Sequence, residues 1–210
     1  MKLNQVITII DYGVGNLSSI RNMLKRLGTE SKISTSLSDI ENADKLILPG
    51  VGSFDYGMMQ LKNSGLLDLV NKRVLVDKIP ILGICLGVQL MMEGSEEGNL
   101  AGLGWIKGKT IAFDKTRLNP NQKIPLMGWN QVKEFEESSL FNGMYAEPRF
   151  YFVHSFHLMT TRPEDVMLKT NYGYDFAAGI ESGNILGVQF HPEKSHKFGM
   201  KIFENFIKFY

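Results

Sequence analysis

Glycines mark the ends of three short, mostly apolar segments in the first half of the chain. These segments are residues 5–10, 45–48 and 81–84, and their length and composition are typical of buried strands. The glycines stand in residues 11–15 (Asp-Tyr-Gly-Val-Gly), 49–52 (Pro-Gly-Val-Gly) and 83–87 (Gly-Ile-Cys-Leu-Gly). Because glycine adopts backbone conformations that are closed to other residues, each strand is predicted to end in a sharp loop.

Predicted helices alternate with these strands. Apolar residues keep helical spacing from Leu17 to Leu27, with Asn16 as the candidate N-cap and Gly28 as the C-terminal stop. Further helical stretches are predicted at residues 58–61, 66–76 and 86–92, and a further strand at residues 31–35. Strands that alternate with helices form parallel sheets, so the first half predicts one.

Shorter alternating segments dominate the second half of the chain. Residues 151–158 and 185–190 are predicted strands, and we interpret this half as a strand-rich extension of the same sheet. A final helix carries Phe198, Ile202, Phe203 and Phe206.

Composition limits the classes of partner. The chain has 210 residues, of which 43% are hydrophobic and 21% charged, and we expect a single domain over residues 1–210. With 23 basic against 22 acidic side chains, no nucleic-acid partner is expected. The early apolar run at residues 6–10 is far shorter than the roughly 20 residues that span a bilayer, so we expect no membrane association and a cytoplasmic location.

Cys85 is the single cysteine of the chain, which excludes an internal disulfide and a thiolate metal cage. It lies between Gly83 and Gly87 at a predicted strand-to-helix junction, which is the geometry of a nucleophile elbow. The positive end of a helix dipole favours the thiolate there. A buried, inert thiol is the commoner fate of a lone cysteine, and on this segment alone both interpretations remain open.

Residues 191–193 (His-Pro-Glu) follow the predicted strand 185–190. Residues two apart on an extended chain point to the same side, which places Glu193 where it can orient His191. An imidazole with a carboxylate behind it can take a proton from a cysteine and later give it to a departing amine. Taken alone, such a tripeptide is usually a polar turn.

The loop at residues 49–52 is expected beside the elbow, since the loops at the carboxyl edge of a parallel sheet converge there. Its glycines let a backbone N–H approach a developing oxyanion, with the N–H of Leu86 as the natural second donor. A tight turn with no ligand remains the alternative for each glycine.

Together these motifs resemble the class I, triad-type glutamine amidotransferases. The resemblance rests on residues 83–87 with Gln89, on residues 49–52, and on residues 189–195 (Gln-Phe-His-Pro-Glu-Lys-Ser). Residues 11–16, 127–130 (Met-Gly-Trp-Asn) and 151–155 (Tyr-Phe-Val-His-Ser) are similar to the glutaminase subunits of imidazole glycerol phosphate synthase, from histidine biosynthesis. The similarity runs from the first predicted strand to the last helix.

The resemblance implies a fold, a reaction and a set of roles. The fold is a doubly wound, mostly parallel α/β sheet flanked by helices, and the reaction is hydrolysis of glutamine through a cysteine thioester, without a metal or cofactor. The implied roles are Cys85 as nucleophile, His191 as general base and acid, Glu193 as orienting carboxylate, Gly52 and Leu86 as oxyanion hole, and Gln89, Ser155 and Phe156 as substrate contacts.

The resemblance also implies a partner, a separate (β/α)₈ cyclase subunit that receives the ammonia through its barrel. Asn16, Trp129, Tyr151 and Lys194 match positions at or near that interface. Glutaminase activity is then expected to be low until the partner binds its nucleotide ligand. A peptide rearrangement in residues 49–52 is expected to form the oxyanion hole. Trp129 and Tyr151 as core aromatics, and Lys194 as a solvated charge, remain alternatives.

Some residues depart from the family pattern. Leu126 stands where many members have histidine, and Phe156 where tyrosine is frequent. Residues 196–200 (His-Lys-Phe-Gly-Met) look more like a paralogous group from surface-polysaccharide gene sets, in which the ammonia amidates a sugar. That pathway is the main alternative.

Two further alternatives have less support. A non-catalytic scaffold of this fold conflicts with the complete triad, and a stand-alone cysteine peptidase or amidase does not require the matches at Asn16 and Lys194. His154 and His157 lie on one predicted strand, but without a nearby carboxylate cluster no metal site is expected there.

Overall fold

The computed structural model describes residues 5–134 and 138–210. Its strands are β1 (Ile7–Ile10), β2 (Ser31–Ser34), β3 (Lys45–Leu48), β4 (Ile81–Ile84), β5 (Gly94–Ser95), β6 (Gly108–Ala112), β7 (Leu126–Glu134), β8 (Arg149–His154), β9 (Phe156–Thr160), β10 (Val166–Tyr172), β11 (Tyr174–Ser182) and β12 (Ile185–Val188). Its α-helices are α1 (Leu17–Arg26), α2 (Leu37–Glu41), α3 (Phe54–Asn63), α4 (Leu67–Asn71), α5 (Leu86–Leu90) and α6 (His196–Phe209).

All the strands of the described ranges belong to one sheet, whose main path runs β2-β1-β3-β4-β12-β11-β10-β7-β8. The first five strands of that path are mutually parallel, and from β11 onward the pairing is antiparallel. Strands β5, β6 and β9 branch from β11. Both the parallel sheet and its strand-rich extension are therefore confirmed. No helix within the described residues has the length and apolar character that a bilayer span requires.

Side-chain alternation along the parallel strands builds a core on each face of the sheet. Ile47 of β3 packs in the cluster that holds α1 and α6, whereas Leu46 and Leu48 pack in the cluster that holds α3, α4 and α5. Because both faces are buried, residues 46–48 of β3 and all of β4 lack polar side chains, instead of alternating apolar with polar positions. Helices on both faces make the sheet doubly wound, as the resemblance implied.

Several boundaries differ from the sequence prediction. The predicted helix 66–76 is α4 followed by the π-helical turn Lys72–Val76. The predicted helix 86–92 ends at Leu90, because the N–H of Leu103 takes the Leu90 carbonyl in a bond of 2.8 Å. The predicted strand 151–158 breaks at Ser155, since β8 pairs with β7 whereas β9 pairs with β6 and β11.

Asn16 occupies the predicted N-cap position of α1, and its carbonyl accepts the N–H of Ile20 at 3.3 Å. Asn16 precedes α1, but its side chain makes no capping hydrogen bond within the part of the chain that the structure describes. Its backbone angles, φ −95° and ψ 63°, lie outside the extended conformation from which an N-cap side chain reaches back to the first turn.

Lys45 joins the C-terminal end of α6 to the sheet. Its side chain is 2% exposed, and its ammonium group donates to the carbonyls of Phe206 and Ile207 at 2.9 and 2.5 Å. Carbonyls of the last helical turn lack partners inside the helix, so a buried cation there supplies both hydrogen bonds and a favourable charge.

The elbow between β4 and α5 is packed against the ends of two neighbouring strands. Cys85 has φ 53°, and its N–H donates to the carbonyl of Val188 at 2.9 Å. Gly87 lies directly against the backbone carbonyl of Leu48, so that a Cβ atom at Gly87 would overlap it. The turn therefore requires glycine at position 87, because a backbone carbonyl cannot move aside as a flexible side chain can.

We predict that Gly87→Ala destabilises the protein, since the added methyl group meets the Leu48 carbonyl. Overpacking of this kind costs about 1–3 kcal/mol. Urea denaturation should show a lower midpoint with an unchanged slope. The matched control is Gly94→Ala, because no atom lies within 4 Å of a Cβ built on Gly94. Equal midpoints for the two variants would contradict the role assigned to Gly87.

Candidate active site

A cavity of about 400 Å³ lies at the carboxyl ends of the parallel strands. Most of the residues that the sequence singled out for catalysis and substrate binding line it, namely Gly52, Cys85, Leu86, Gln89, Ser155, Phe156 and His191. Glu193 is joined to this set through His191. Residues up to 139 positions apart in sequence, Gly52 and His191, therefore meet at one site.

His191 and Glu193 form a short, buried side-chain pair. Nδ1 of His191 lies 2.7 Å from Oε1 of Glu193, and each side chain is 1% exposed. The geometry differs from the predicted extended chain, because Pro192–Lys194 forms a 3₁₀ turn that folds the carboxylate back onto the ring. Nε2 of His191 is buried and has no hydrogen-bond partner among residues 5–134 and 138–210, which leaves it for a reacting group.

Charge around His191 favours its protonated form. Burial lowers the pKa of His191, but the neighbouring sulfur of Cys85 and the carboxylate of Glu193 outweigh burial and raise it to about 10. A thiolate beside an imidazolium is the arrangement in which a cysteine acts as a nucleophile at neutral pH.

Cys85 is 6% exposed, and its sulfur has a further neighbour. Nε2 of Gln189 lies 3.9 Å from Sγ, within hydrogen-bond distance for sulfur. Helix α5 is only five residues long, so its dipole gives the thiolate less support than the longer predicted helix would.

The loop at residues 49–52 is fixed at one end and open at the other. The hydroxyl of Tyr12 donates to the Pro49 carbonyl at 2.5 Å, and Gly50 is buried against the elbow, where a Cβ atom would come within 2.8 Å of the Gly87 nitrogen. Gly52, by contrast, is exposed at the rim of the cavity with φ 99°. Gly52 therefore shares the cavity with Cys85 and lies in the more accessible part of the loop.

Three residues of the site carry no role in the sequence interpretation. Glu97 lines the cavity and accepts a hydrogen bond from the N–H of Phe54 at 2.8 Å, which fixes a carboxylate at the rim. His154 also lines the cavity, and burial lowers its pKa to about 3, so it is neutral. Gln189 begins the family motif at residues 189–195, and that motif is the only feature of the sequence that points to Gln189.

Three of the four residues assigned to a partner interface, Trp129, Tyr151 and Lys194, lie together in an aromatic patch beside the cavity. Trp129 is 45% exposed, so the alternative of a core aromatic is wrong for it. Tyr151 faces Trp129 across the β7–β8 pair, and the Lys194 ammonium lies 5.5 Å from the Tyr151 ring. His196 stacks on Trp129 with ring centroids 5.5 Å apart. We call Trp129, Tyr151, Lys194 and His196, together with the exposed Met127, the aromatic patch.

Asn16 is half-buried and lies next to the loop 49–52 rather than in the aromatic patch. A Cβ atom on the adjacent Gly15 would come within 3.0 Å of Pro49. Within the described ranges, 5–134 and 138–210, no group of three or more His, Cys, Asp and Glu side chains is placed to hold a metal ion.

The chain is similar to known proteins along nearly its whole length. The family model of class-I glutamine amidotransferases matches residues 8–209. The imidazole glycerol phosphate synthase subunit HisH 2 of Pseudomonas aeruginosa is 48% identical over 203 residues, which cover 97% of this chain and 99% of that protein. HisH 2 of Methanococcus maripaludis is 50% identical over 203 residues, with the same two coverages.

Solved structures agree on the fold at lower identity. PurLQS from Thermotoga maritima superposes with a TM-score of 0.72 at 18% identity, covering 99% of each chain. The glutaminase domain of CTPS from Trypanosoma brucei gives a TM-score of 0.64 at 16% identity, covering 97% of this chain and 94% of that one. On the family match and the two closely similar relatives, this chain belongs to the class-I glutamine amidotransferase family.

Proposed function

We propose that this chain is the glutaminase subunit of imidazole glycerol phosphate synthase and hydrolyses L-glutamine to glutamate and ammonia for histidine biosynthesis. The observation that carries the proposal is the buried His191–Glu193 pair, whose free Nε2 shares a cavity with the only cysteine of the chain. The similarity to HisH 2 proteins over nearly the whole chain supports the pathway.

The proposed chemistry begins with the Cys85 thiolate, which attacks the side-chain amide carbon of glutamine. The N–H groups of Gly52 and Leu86 stabilise the oxyanion that forms on the carbonyl oxygen. His191 then gives its Nε2 proton to the departing nitrogen, the C–N bond breaks, and ammonia leaves behind a thioester. His191 next takes a proton from water, whose oxygen attacks the thioester and releases glutamate and the thiolate.

The remaining cavity residues hold the substrate. Gln89 of α5 and Ser155 and Phe156 at the β8–β9 junction line the cavity together with Cys85. Glu97 is a carboxylate at the rim and suits the α-ammonium group of glutamine. Glu193 orients His191 and has no contact of its own with the cavity. Because the mechanism needs a free thiol, a cytoplasmic location, where thiols stay reduced, suits Cys85.

The chemistry of ammonia leads to the second part of the proposal, which is a partner subunit. In water at neutral pH ammonia is mostly ammonium, which is not nucleophilic, so the product needs a shielded route to its acceptor. The aromatic patch adjoins the cavity, because Lys194 belongs to both. We assign this patch, together with Asn16 beside the loop 49–52, to the docking of a (β/α)₈ cyclase subunit that receives the ammonia. Exposed aromatic side chains of this kind are common anchors in protein interfaces.

Glutamate release from glutamine, with and without the cyclase subunit of the same genome and its nucleotide ligand, tests the function. We predict strong stimulation by the liganded cyclase and loss of at least about 10³-fold in activity for Cys85→Ala, because the thioester cannot form. Partner binding by Cys85→Ala should be unchanged.

Hydrolysis by Cys85→Ala at the wild-type rate would refute the glutaminase mechanism. Activity that appears only beside a partner from a surface-polysaccharide gene set would instead move the chain to sugar amidation, with its chemistry unchanged.

Trp129→Ala tests the docking surface. We predict that this variant binds the cyclase at least about 30-fold more weakly, since truncation of a central aromatic anchor costs about 2 kcal/mol or more. Titration calorimetry measures the affinity. The matched control is Phe209→Ala, because Phe209 is 43% exposed against 45% for Trp129. Phe209 is the last residue of α6, whereas the aromatic patch contains the first, His196. An affinity loss in Phe209→Ala equal to that in Trp129→Ala would contradict the assignment.

A further inference from the structure

Gln189 contacts the sulfur of Cys85, and the proposed mechanism gives it no role. Its side chain is fully buried, and its backbone N–H donates to the Ala178 carbonyl at 2.9 Å, just beyond the end of β12. Its amide nitrogen is 3.9 Å from Sγ of Cys85, and its amide oxygen is 3.1 Å from Nε2 of Gln89. An amide without partners would be costly to bury, so these contacts account for its presence.

The Phe156 carbonyl determines which group donates in each of these hydrogen bonds. The Phe156 carbonyl can only accept, and its oxygen lies 3.1 Å from the Gln89 amide and 2.8 Å from Nδ1 of His154. The group that Gln89 turns toward Phe156 is therefore its NH₂, and His154 carries its proton on Nδ1.

The same argument fixes the amide of Gln189. The Gln89 nitrogen that bonds to Phe156 is also the atom facing Gln189, so it meets an acceptor, which is Oε1 of Gln189. The NH₂ group of Gln189 is then left facing the sulfur. A flipped Gln189 would place two NH₂ groups against each other and turn its oxygen toward the sulfur.

We propose that Gln189 donates a hydrogen bond to the sulfur of Cys85 and thereby favours the reactive thiolate, and that Gln89 is a positioning residue which locks the Gln189 amide in the donating orientation. The inference rests on the proposed function, in which Cys85 is the nucleophile. An N–H aimed at the sulfur stabilises an anion there, and a carboxylate in its place destabilises it. Gln89 would thus act on the nucleophile as well as on the substrate.

Alkylation of the protein by iodoacetamide at different pH values tests this inference without glutamine or a partner. Cys85 is the only cysteine, so the rate reports on that sulfur alone. In Gln189→Met, which keeps the length but removes the donor, we expect alkylation at neutral pH to be about 10-fold slower, with the pH midpoint raised by about one unit. Gln189→Glu should raise the midpoint further, and Gln89→Leu should raise it less.

Turnover at different pH values separates this role from general damage. For Gln189→Met in complex with the cyclase, kcat should fall at neutral pH and recover as the pH is raised, whereas KM stays within about twofold. A merely structural defect would not be rescued by pH. If Gln189→Met does not fold, Gln189→Glu, which keeps the shape of the side chain, gives the same comparison.

Asn184→Leu is the matched control. Asn184 lies one residue before β12, and its amide donates to the carbonyls of Val74 and Ile79 at 2.9 Å each, away from the cavity lining. This variant should lose thermal stability but keep the wild-type alkylation profile. A wild-type profile in both Gln189→Met and Gln189→Glu would overturn the inference even if glutaminase activity is present. Shifted profiles in a protein that never hydrolyses glutamine would overturn only the proposed function.

Discussion

The backbone of Cys85 adopts φ 53° and ψ −110°, a conformation that costs L-residues roughly 1–3 kcal/mol, and the ends of three neighbouring strands hold it there. Strand β4 leads into the residue, the end of β12 accepts its N–H through Val188, and the end of β3 packs against Gly87. The contacts with β12 and β3 join residues that are distant in sequence. The parallel sheet therefore stabilises the turn, and the turn places Cys85 at the cavity.

The charged groups around the sulfur of Cys85 support its role as a nucleophile. A thiolate, an imidazolium and a carboxylate in one buried site carry a net charge of −1, and burial penalises any of these charges that lacks a partner. His191 is shared between Cys85 and Glu193, and its raised pKa reflects both partners. The second carboxylate oxygen of Glu193 has no hydrogen-bond partner in the described ranges. A neutral N–H donor at the sulfur, such as that of Gln189, disperses the excess negative charge without adding a positive one.

The sequence allows the site to be predicted where the chemistry depends on local patterns. Glycine beside Cys85 and the short segment 191–193 indicate an elbow and a His–Glu pair because each pattern lies within a few residues. Glu97, Lys45 and the pairing of Gln189 with Gln89 have no such signature, since each contact joins residues that are close only after folding. The break at Ser155 also has no sequence signature. It arises because β8 pairs with β7, whereas β9 pairs with β6 and β11.

The aromatic patch and the catalytic pair share backbone contacts, which gives a partner a physical route to the chemistry. The Tyr151 carbonyl accepts the N–H of His191 at 2.9 Å, and the Tyr151 N–H donates to the hydroxyl of Ser195 at 3.0 Å. Ser195 in turn donates to the His191 carbonyl at 2.6 Å. These bonds form a closed loop that joins the backbone of Tyr151 to the backbone of His191. A partner that displaced the Tyr151 backbone would therefore act on the His191 backbone across a single strand-to-strand distance, without a long-range rearrangement.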